Sequence, residues 1–286
     1  MRTDYTLLKK LSFIWVLIFM FGASSPAISK PEIKKEKTIV KKHGVNQAWW
    51  NSLSLVWKQY FIRKVGVNRV PMQDDFDKIY SLQSIDCSRI PIRSLRPVAV
   101  LKNLKVLWCD GTQITDISPV RGLTGLLHLN VAETRINNID AIAGLVNLKK
   151  LEIYKTQVSN LRGIQGLTNL TVIDCSSTPV NNIGPISKLA KLEVFYFNNT
   201  RVVSLAALER LINLVEVSFL RTPVSDLSPL KNLPKLKEIV LQYTNVSSLD
   251  PLHNSKTLKI IYVDNSKVSS AQIQKFKSAH PTCEVY

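Results

Sequence analysis

The side chains of this 286-residue chain best suited to catalysis or metal binding are four histidines and four cysteines. The histidines are His43, His128, His253 and His280; the cysteines are Cys87, Cys109, Cys175 and Cys283. No two cysteines have C-x-x-C spacing, so no zinc site is expected. Among the histidines, only His128 has company. On the lattice derived below it falls within about one repeat of Trp108, Asn130 and Glu152, and an imidazole beside a carboxylate could serve as a general base. No nucleophile faces it. The chain also lacks G-x-S-x-G, a P-loop, H-E-x-x-H and any Gly-rich phosphate cradle. The expectation is a non-enzymatic protein with no catalytic residues, no metal and no cofactor.

The elements that would position these side chains repeat every 22 residues, nine times, from Ile79 to Phe276. The fourth position of each block is Leu: Leu82, Leu104, Leu126, Leu148, Leu170, Leu192, Leu214, Leu236 and Leu258. The seventh and ninth positions are apolar throughout, and the fourteenth is always Ile or Val, from Ile92 to Val268. A fixed period in this range with the pattern L-x-x-L-x-L marks a leucine-rich repeat. In the block Leu101 to Gly122, Leu104, Leu107 and Cys109 point one way and Trp108 and Asp110 the other, the alternation of a short strand with one buried face. Nine stacked parallel strands would span about 40 Å at their usual spacing. Each repeat can bury its apolar residues only against its neighbours. The twelfth position is Thr in seven repeats, Thr112 to Thr244, then Ser266. A small inward hydroxyl there can satisfy backbone groups that leave the ladder. Asp116-Ile117-Ser118-Pro119-Val120 and Asp226-Leu227-Ser228-Pro229-Leu230 read as tight helical turns, with Asp at a cap and Pro early.

Segments such as TQITDISPVRGLTGLLHL and TPVSDLSPLKNLPKLKEI resemble the 22-residue repeats of bacterial internalin-type proteins, over about 200 residues. The resemblance implies a right-handed leucine-rich-repeat solenoid, an α/β repeat fold with a parallel concave β-sheet and a convex side of short 3-10 turns. Internalins usually place Asn at the turn where this chain has Thr. That departure implies a different branch of bacterial repeats and argues against an internalin-type host-cell receptor.

The ends differ from the repeats. Residues 1–27 have signal-peptide anatomy: Arg2, Lys9 and Lys10, an apolar run from Leu11 to Phe21 broken by Ser12, then small residues up to Ala27. The run is shorter than the ~20 residues needed to cross a bilayer; an uncleaved membrane anchor at 11–27 is the alternative. The expected location is therefore periplasm, cell envelope or medium. Residues 28–45, with Lys30, Lys34, Lys35, Lys37, Lys41 and Lys42, read as a basic flexible linker. Residues 46–78 read as an N-terminal helical cap. One amphipathic helix is predicted over Trp49–Val65, ended by Gly66, with Trp50, Leu53, Trp57 and Phe61 on one face; a second is predicted from about Pro71. Residues 277–286 read as a closing edge strand, with Cys283 in the inward seventh column.

The net charge is +17. It favours acidic partners, and the Lys-rich arm could hold an anionic envelope polymer or lipid. No nucleic-acid motif accompanies it, and no nucleic acid is expected. Cys87, Cys109 and Cys175 sit in the inward ninth column and read as buried thiols; stacked Cys87 and Cys109 could meet, although in-register neighbours rarely offer disulfide geometry.

The outward columns are the informative surface. The eighth runs Asp86, Trp108, Asn130, Glu152, Asp174, Tyr196, Ser218, Val240, Tyr262, and the tenth carries Asp110, Tyr154 and Asn198. Large aromatics there are the residue types that anchor interfaces. The acidic side chains Asp86, Asp110, Glu133, Glu152 and Asp174 lie toward the N-terminal half; Arg201, Arg221 and Lys267 lie toward the C-terminal half. The expected partner is a protein, met by a monomer through Trp108, Asp110, His128, Glu152, Tyr154, Asp174, Tyr196, Arg201, Arg221, Tyr243 and Tyr262.

Overall fold

A computed structural model describes residues 43–286. The signal-peptide segment, the alternative anchor at 11–27 and the lysine run up to Lys42 lie outside the described residues. Among the described residues no helix is long and apolar enough to cross a membrane.

Ten strands form one parallel sheet in chain order: β1 Ser84–Asp86, β2 Val106–Trp108, β3 His128–Asn130, β4 Lys150–Glu152, β5 Val172–Asp174, β6 Val194–Tyr196, β7 Glu216–Ser218, β8 Glu238–Val240, β9 Ile260–Tyr262 and β10 Glu284–Val285. From β1 to β9 the register offset is one repeat, so Leu107 stands between Ile85 and Leu129. Each chain crossing back carries a 3-10 turn, as at Ser118–Val120 and Ser228–Leu230. The result is a leucine-rich-repeat solenoid. Its core is the stack of the first, fourth, seventh, ninth, fourteenth, seventeenth and twentieth columns, as in Leu101, Leu104, Leu107, Cys109, Ile114, Ile117 and Val120, all buried. The ninth column is thin where it starts, with Cys87 and Cys109, and thickest in the sixth and seventh repeats, with Phe197 and Phe219. There Phe195 stacks on Phe197 at 4.7 Å and Phe197 on Phe219 at 5.7 Å. All four cysteines are free and buried.

Two hydrogen-bond columns make the turns uniform. The threonine hydroxyl of the twelfth position donates to the carbonyl three residues back: Thr112 to Cys109, Thr156 to Ile153 and Thr200 to Phe197, each at 2.7 Å. This satisfies the carbonyl where the chain leaves the ladder. At the sixteenth position Asp116 and Asp226 accept from the backbone N–H two residues on, at 2.7 and 2.8 Å. Asn138, Asn160 and Asn182 do the same at 2.6 to 2.8 Å, so the slot takes any short polar acceptor. The serine hydrogen bonds hold the carboxyls of Asp116 and Asp226 below the usual range.

The N-terminal cap corrects one expectation. Trp49–Val65 is not one helix but parts of two, α1 His43–Ser52 and α2 Leu55–Val65, and α1 begins within the stretch read as linker. Ser54 breaks them, because its side chain accepts from the Trp57 N–H and starts α2 as its cap. Gly66 closes α2 with φ +72°, a left-handed position open to glycine. Trp50, Leu53, Trp57 and Phe61 are buried on one side as expected. α3 spans Gln73–Tyr80. In its first turn the buried Asp75 accepts from the Met72 N–H at 3.0 Å and pairs with Arg69 at 2.6 Å, and both lower its pKa. The cap also serves the sheet edge: the Tyr60 hydroxyl accepts from the Asp86 N–H at 3.1 Å, and the Trp57 indole donates to the Ser94 carbonyl at 2.9 Å.

At the other end, a helix α4, Ser270–Ala279, which the sequence reading did not anticipate, replaces the 3-10 turn. It lengthens the crossing by two residues. Val285, not Cys283, therefore stands opposite Ile261 in the seventh column. Cys283 remains buried because it is two residues away on the same side of the strand.

Candidate binding surface

The outward sheet face divides into two halves. In the first, Trp108 projects from β2 with 38 % of its surface exposed. Asp110 beside it is bound on both flanks: the Ser88 hydroxyl donates to it at 2.6 Å and the Asn130 amide at 3.3 Å. The general-base arrangement suggested for His128 is not formed. Its register partners are Val106 and Lys150, and burial together with Lys150 and Lys149 holds its pKa below the usual value. The Glu152 carboxylate pairs instead with Lys150 at 3.1 Å. Asp174, opposite Glu152, is raised to about 6 by burial and by Glu152, against hydrogen bonds from Ser176 that favour the anion. Tyr154 is half-buried, and burial with the surrounding carboxylates of Glu133, Asp110 and Glu152 pushes its phenol to about 12.

The second half is arranged differently. Tyr196 on β6, expected as an exposed anchor, is half-buried and its hydroxyl donates to Glu216. Glu216 and Glu238 are register partners on β7 and β8. Burial raises both carboxyls; Glu238, with Glu216 as its second cause, reaches about 7, while the Tyr196 hydrogen bond restrains Glu216. Tyr262 is also half-buried and stacks on Tyr286 at 5.4 Å, so only one of its faces is open. The acidic-to-basic gradient is thus corrected: the sixth column puts Glu216, Glu238 and Glu284 on the C-terminal half. These residues were visible in the sequence. The signal was the sixth column itself, which is outward and which the eighth and tenth columns alone do not sample.

Arg201, Arg221 and Tyr243 lie off the sheet face, on the turns that follow the strands. Position eleven is left-handed in all nine repeats, with φ from +52° to +66°, and only Gly111 is a glycine. Such backbone costs about 1 kcal/mol or more for a residue with a Cβ, so the ladder must hold it. It does: in the first eight of these residues the N–H donates to the next strand's tenth-position carbonyl, as Glu133 to Tyr154 at 2.8 Å and Arg221 to Gln242 at 2.9 Å. The side chains of this column project along the rim. Lys155 pairs with Glu133 at 2.6 Å, and the Arg221 guanidinium lies 4.9 Å over the Tyr243 ring. Between them is an open recess of about 530 Å³, lined by Ser177, Thr178, Pro179, Asn199, Thr200, Arg201 and Arg221. Among the described residues no cluster of three or more His, Cys, Asp or Glu forms a metal-type site.

A parallel sheet of ten strands with threonine turns, and a polar face carrying one open tryptophan, defines a leucine-rich-repeat protein. Residues 102–147 match the family of leucine-rich repeats, in two copies. The repeats are internalin-like. An internalin C2 of Listeria monocytogenes is similar with 27% identity and a TM-score of 0.69, over 76% of this chain and 95% of that one. An internalin (InlF) of the same organism gives a TM-score of 0.74 at 19% identity, over 81% of this chain and 68% of that one. A leucine-rich-repeat protein of Leptospira interrogans shares the fold, with a TM-score of 0.60 at 17% identity, over 74% and 62%. No curated protein sequence matches the chain.

Proposed function

We propose that the chain is an exported, non-enzymatic binding protein whose sheet face docks a protein partner. Trp108 and Tyr154 supply the contact area, and Asp110, Glu152 and Asp174 set the polar complement. The observation that carries this reading is Trp108: a large aromatic, more than a third exposed, on β2 beside polar groups that hydrogen bonds hold in place. Fixed polar groups around a rigid aromatic form a pre-organised contact surface. Solenoids of this kind use such extended faces for binding. The n-region, apolar run and small residues before Ala27 support export.

The test is affinity capture from envelope extract and medium with the full chain and its Trp108→Ala/Tyr154→Ala variant, at low and high salt. Recovery of a protein by the wild type in high salt, and its loss in a variant of unchanged fold, is the expected result. A partner retained by the variant would refute the assignment. Recovery of an anionic polymer, equal in both and lost in salt, would move the function to the lysine arm at 30–42. Export is checked by N-terminal sequencing of the protein from medium or periplasm: a start at Ile28 is expected, and Met1 retained in the membrane fraction would replace the signal peptide with an anchor.

A further inference from the structure

We propose that the recess beside the turns after β5, β6 and β7 is an anion subsite, in which Arg201 and Arg221 hold a carboxylate of the protein partner's acidic side chain. This deepens the reading of the chain as a protein-binding module and rests on it. The recess exists because of residue size along one column. Position eleven runs Glu133, Lys155, Ser177, Asn199, Arg221, Tyr243. Two short side chains in adjacent turns leave a gap between long ones, about two repeats wide. Pro179 floors it without a donor, and Arg201 reaches it from position thirteen.

Charge then decides what fits. The lining holds two guanidiniums and no carboxylate. Neither arginine is in an ion pair among the described residues, and the Arg221 guanidinium lies over the Tyr243 ring. A guanidinium stacked on an aromatic face has its in-plane N–H groups free for a carboxylate, the geometry of bidentate recognition. The stacking also holds Arg221 in one orientation, which lowers the ordering cost of binding. A discrete carboxylate suits the site better than a polymer. Along position thirteen, Gln157 and Pro179 separate Arg201 from Arg135, and Pro223 and Asn245 separate it from Lys267, so the rim offers no continuous cationic track.

The experiment is calorimetry of the full chain with a capped oligoglutamate peptide, and with dextran sulfate in parallel, at physiological ionic strength. Arg201→Ala/Arg221→Ala should weaken the peptide about tenfold, a typical loss for charge-assisted bonds. Arg121→Ala/Arg210→Ala removes the same charge elsewhere and should change it less than about twofold. Equal losses in both variants, or no peptide binding by the wild type, would overturn the proposal by reducing the effect to bulk charge or to nothing. It would equally be overturned if dextran sulfate alone bound and alone lost affinity in the recess variant, which would make the site a sulfated-glycan subsite. If the peptide arm fails while Trp108→Ala/Tyr154→Ala still abolishes capture, the recess assignment falls and the sheet-face reading stands.

Discussion

Trp108 and Tyr196 occupy the same column of the same sheet, four strands apart, yet stand in opposite circumstances. Trp108 and Tyr196 each follow a valine in the outward sixth column, Val106 and Val194, but on the next strand Trp108 meets His128, and among the described residues no hydrogen bond joins the two. Tyr196 has Glu216 beside it in that column on the next strand, and its hydroxyl is tied to that carboxylate. The difference teaches that on a repeat lattice the column alone does not make an aromatic available. The neighbour one strand along decides whether the ring serves a partner or the fold. By this criterion the open aromatic Trp108 lies in the N-terminal half of the face, where the proposed contact is placed, while the C-terminal half ties its tyrosines to neighbouring side chains.

The core beneath the two halves differs in the same direction, and that gives the largest expected effect. Phe197→Ala removes a ring stacked on both Phe195 and Phe219 and should cost about 3–5 kcal/mol; Cys109→Ala, in the same column, removes one sulfur and should cost roughly 1 kcal/mol. Equal costs in denaturant melts would show that the thick and thin parts of the core are not distinct. Next comes the face. Trp108→Ala should leave stability unchanged and weaken partner capture by about 2 kcal/mol, some thirtyfold, whereas Tyr196→Ala should lose stability first. A Tyr196→Ala protein that folds as well as wild type but no longer binds would reverse the assignment of the halves. A third test addresses the stacking on which both halves rest. Gly163 is buried, and a Cβ there would sit 2.4 Å from the Ile139 carbonyl oxygen. Gly163→Ala should therefore cost about 1–3 kcal/mol through forced separation of two repeats. Proline and alanine fill the same slot elsewhere, at Pro119 and Ala141, so a neutral result would mean that the local spacing relaxes at no cost.

Most of the fold was legible because each repeat states it again. The Leu columns, the threonine hydroxyls and the Asp116 turn follow from period and residue type, and they recur in every strand and turn. What was not legible came from places where the period is absent or where two repeats interact. The break between α1 and α2 depends on one capping serine inside an otherwise continuous apolar stripe. Helix α4 hides in a degenerate block, where the missing Leu at Ala271 and Gln274 signalled decay of the repeat but not its replacement. The candidate surface was legible as columns and not as contacts. His128 and Glu152 are near each other in register, but Lys150 lies on the same face as both and takes the carboxylate. Tyr196 was counted as exposed because burial of a tyrosine by a neighbouring glutamate is a pairwise fact that no single column displays.

The smallest effect is on the pH dependence of stability, and it should appear in both halves of the face. Glu216 and Glu238 face each other across adjacent strands, with Val194 and Ile260 flanking them in the sixth column and Tyr196 and Tyr262 as the nearby phenols. Two like charges opposite one another on a half-buried face are unfavourable, so a proton is held longer in the folded state. Glu238 is raised from 4.5 to about 7. A carboxyl whose folded pKa lies above its unfolded value binds more protons in the native state, so stability falls as pH rises through that window and is at its best below it. Glu238→Gln removes the titration. It should raise Tm by about 2 °C above neutral pH, the group being only half-buried, and change it little at about pH 4.5 and below. The carboxyl of Asp174, in the N-terminal half, is raised to about 6 by burial, against a hydrogen bond that the Ser176 N–H donates to it. Asp174→Asn keeps an acceptor for that N–H, as Asn130 does for the Ala132 N–H in the same column, and removes a titration of the same sign, so it should likewise raise Tm above about pH 6. Melting curves across pH 4 to 8 in which either variant fell below the wild type at neutral pH would show that the folded state does not favour the protonated carboxyl there.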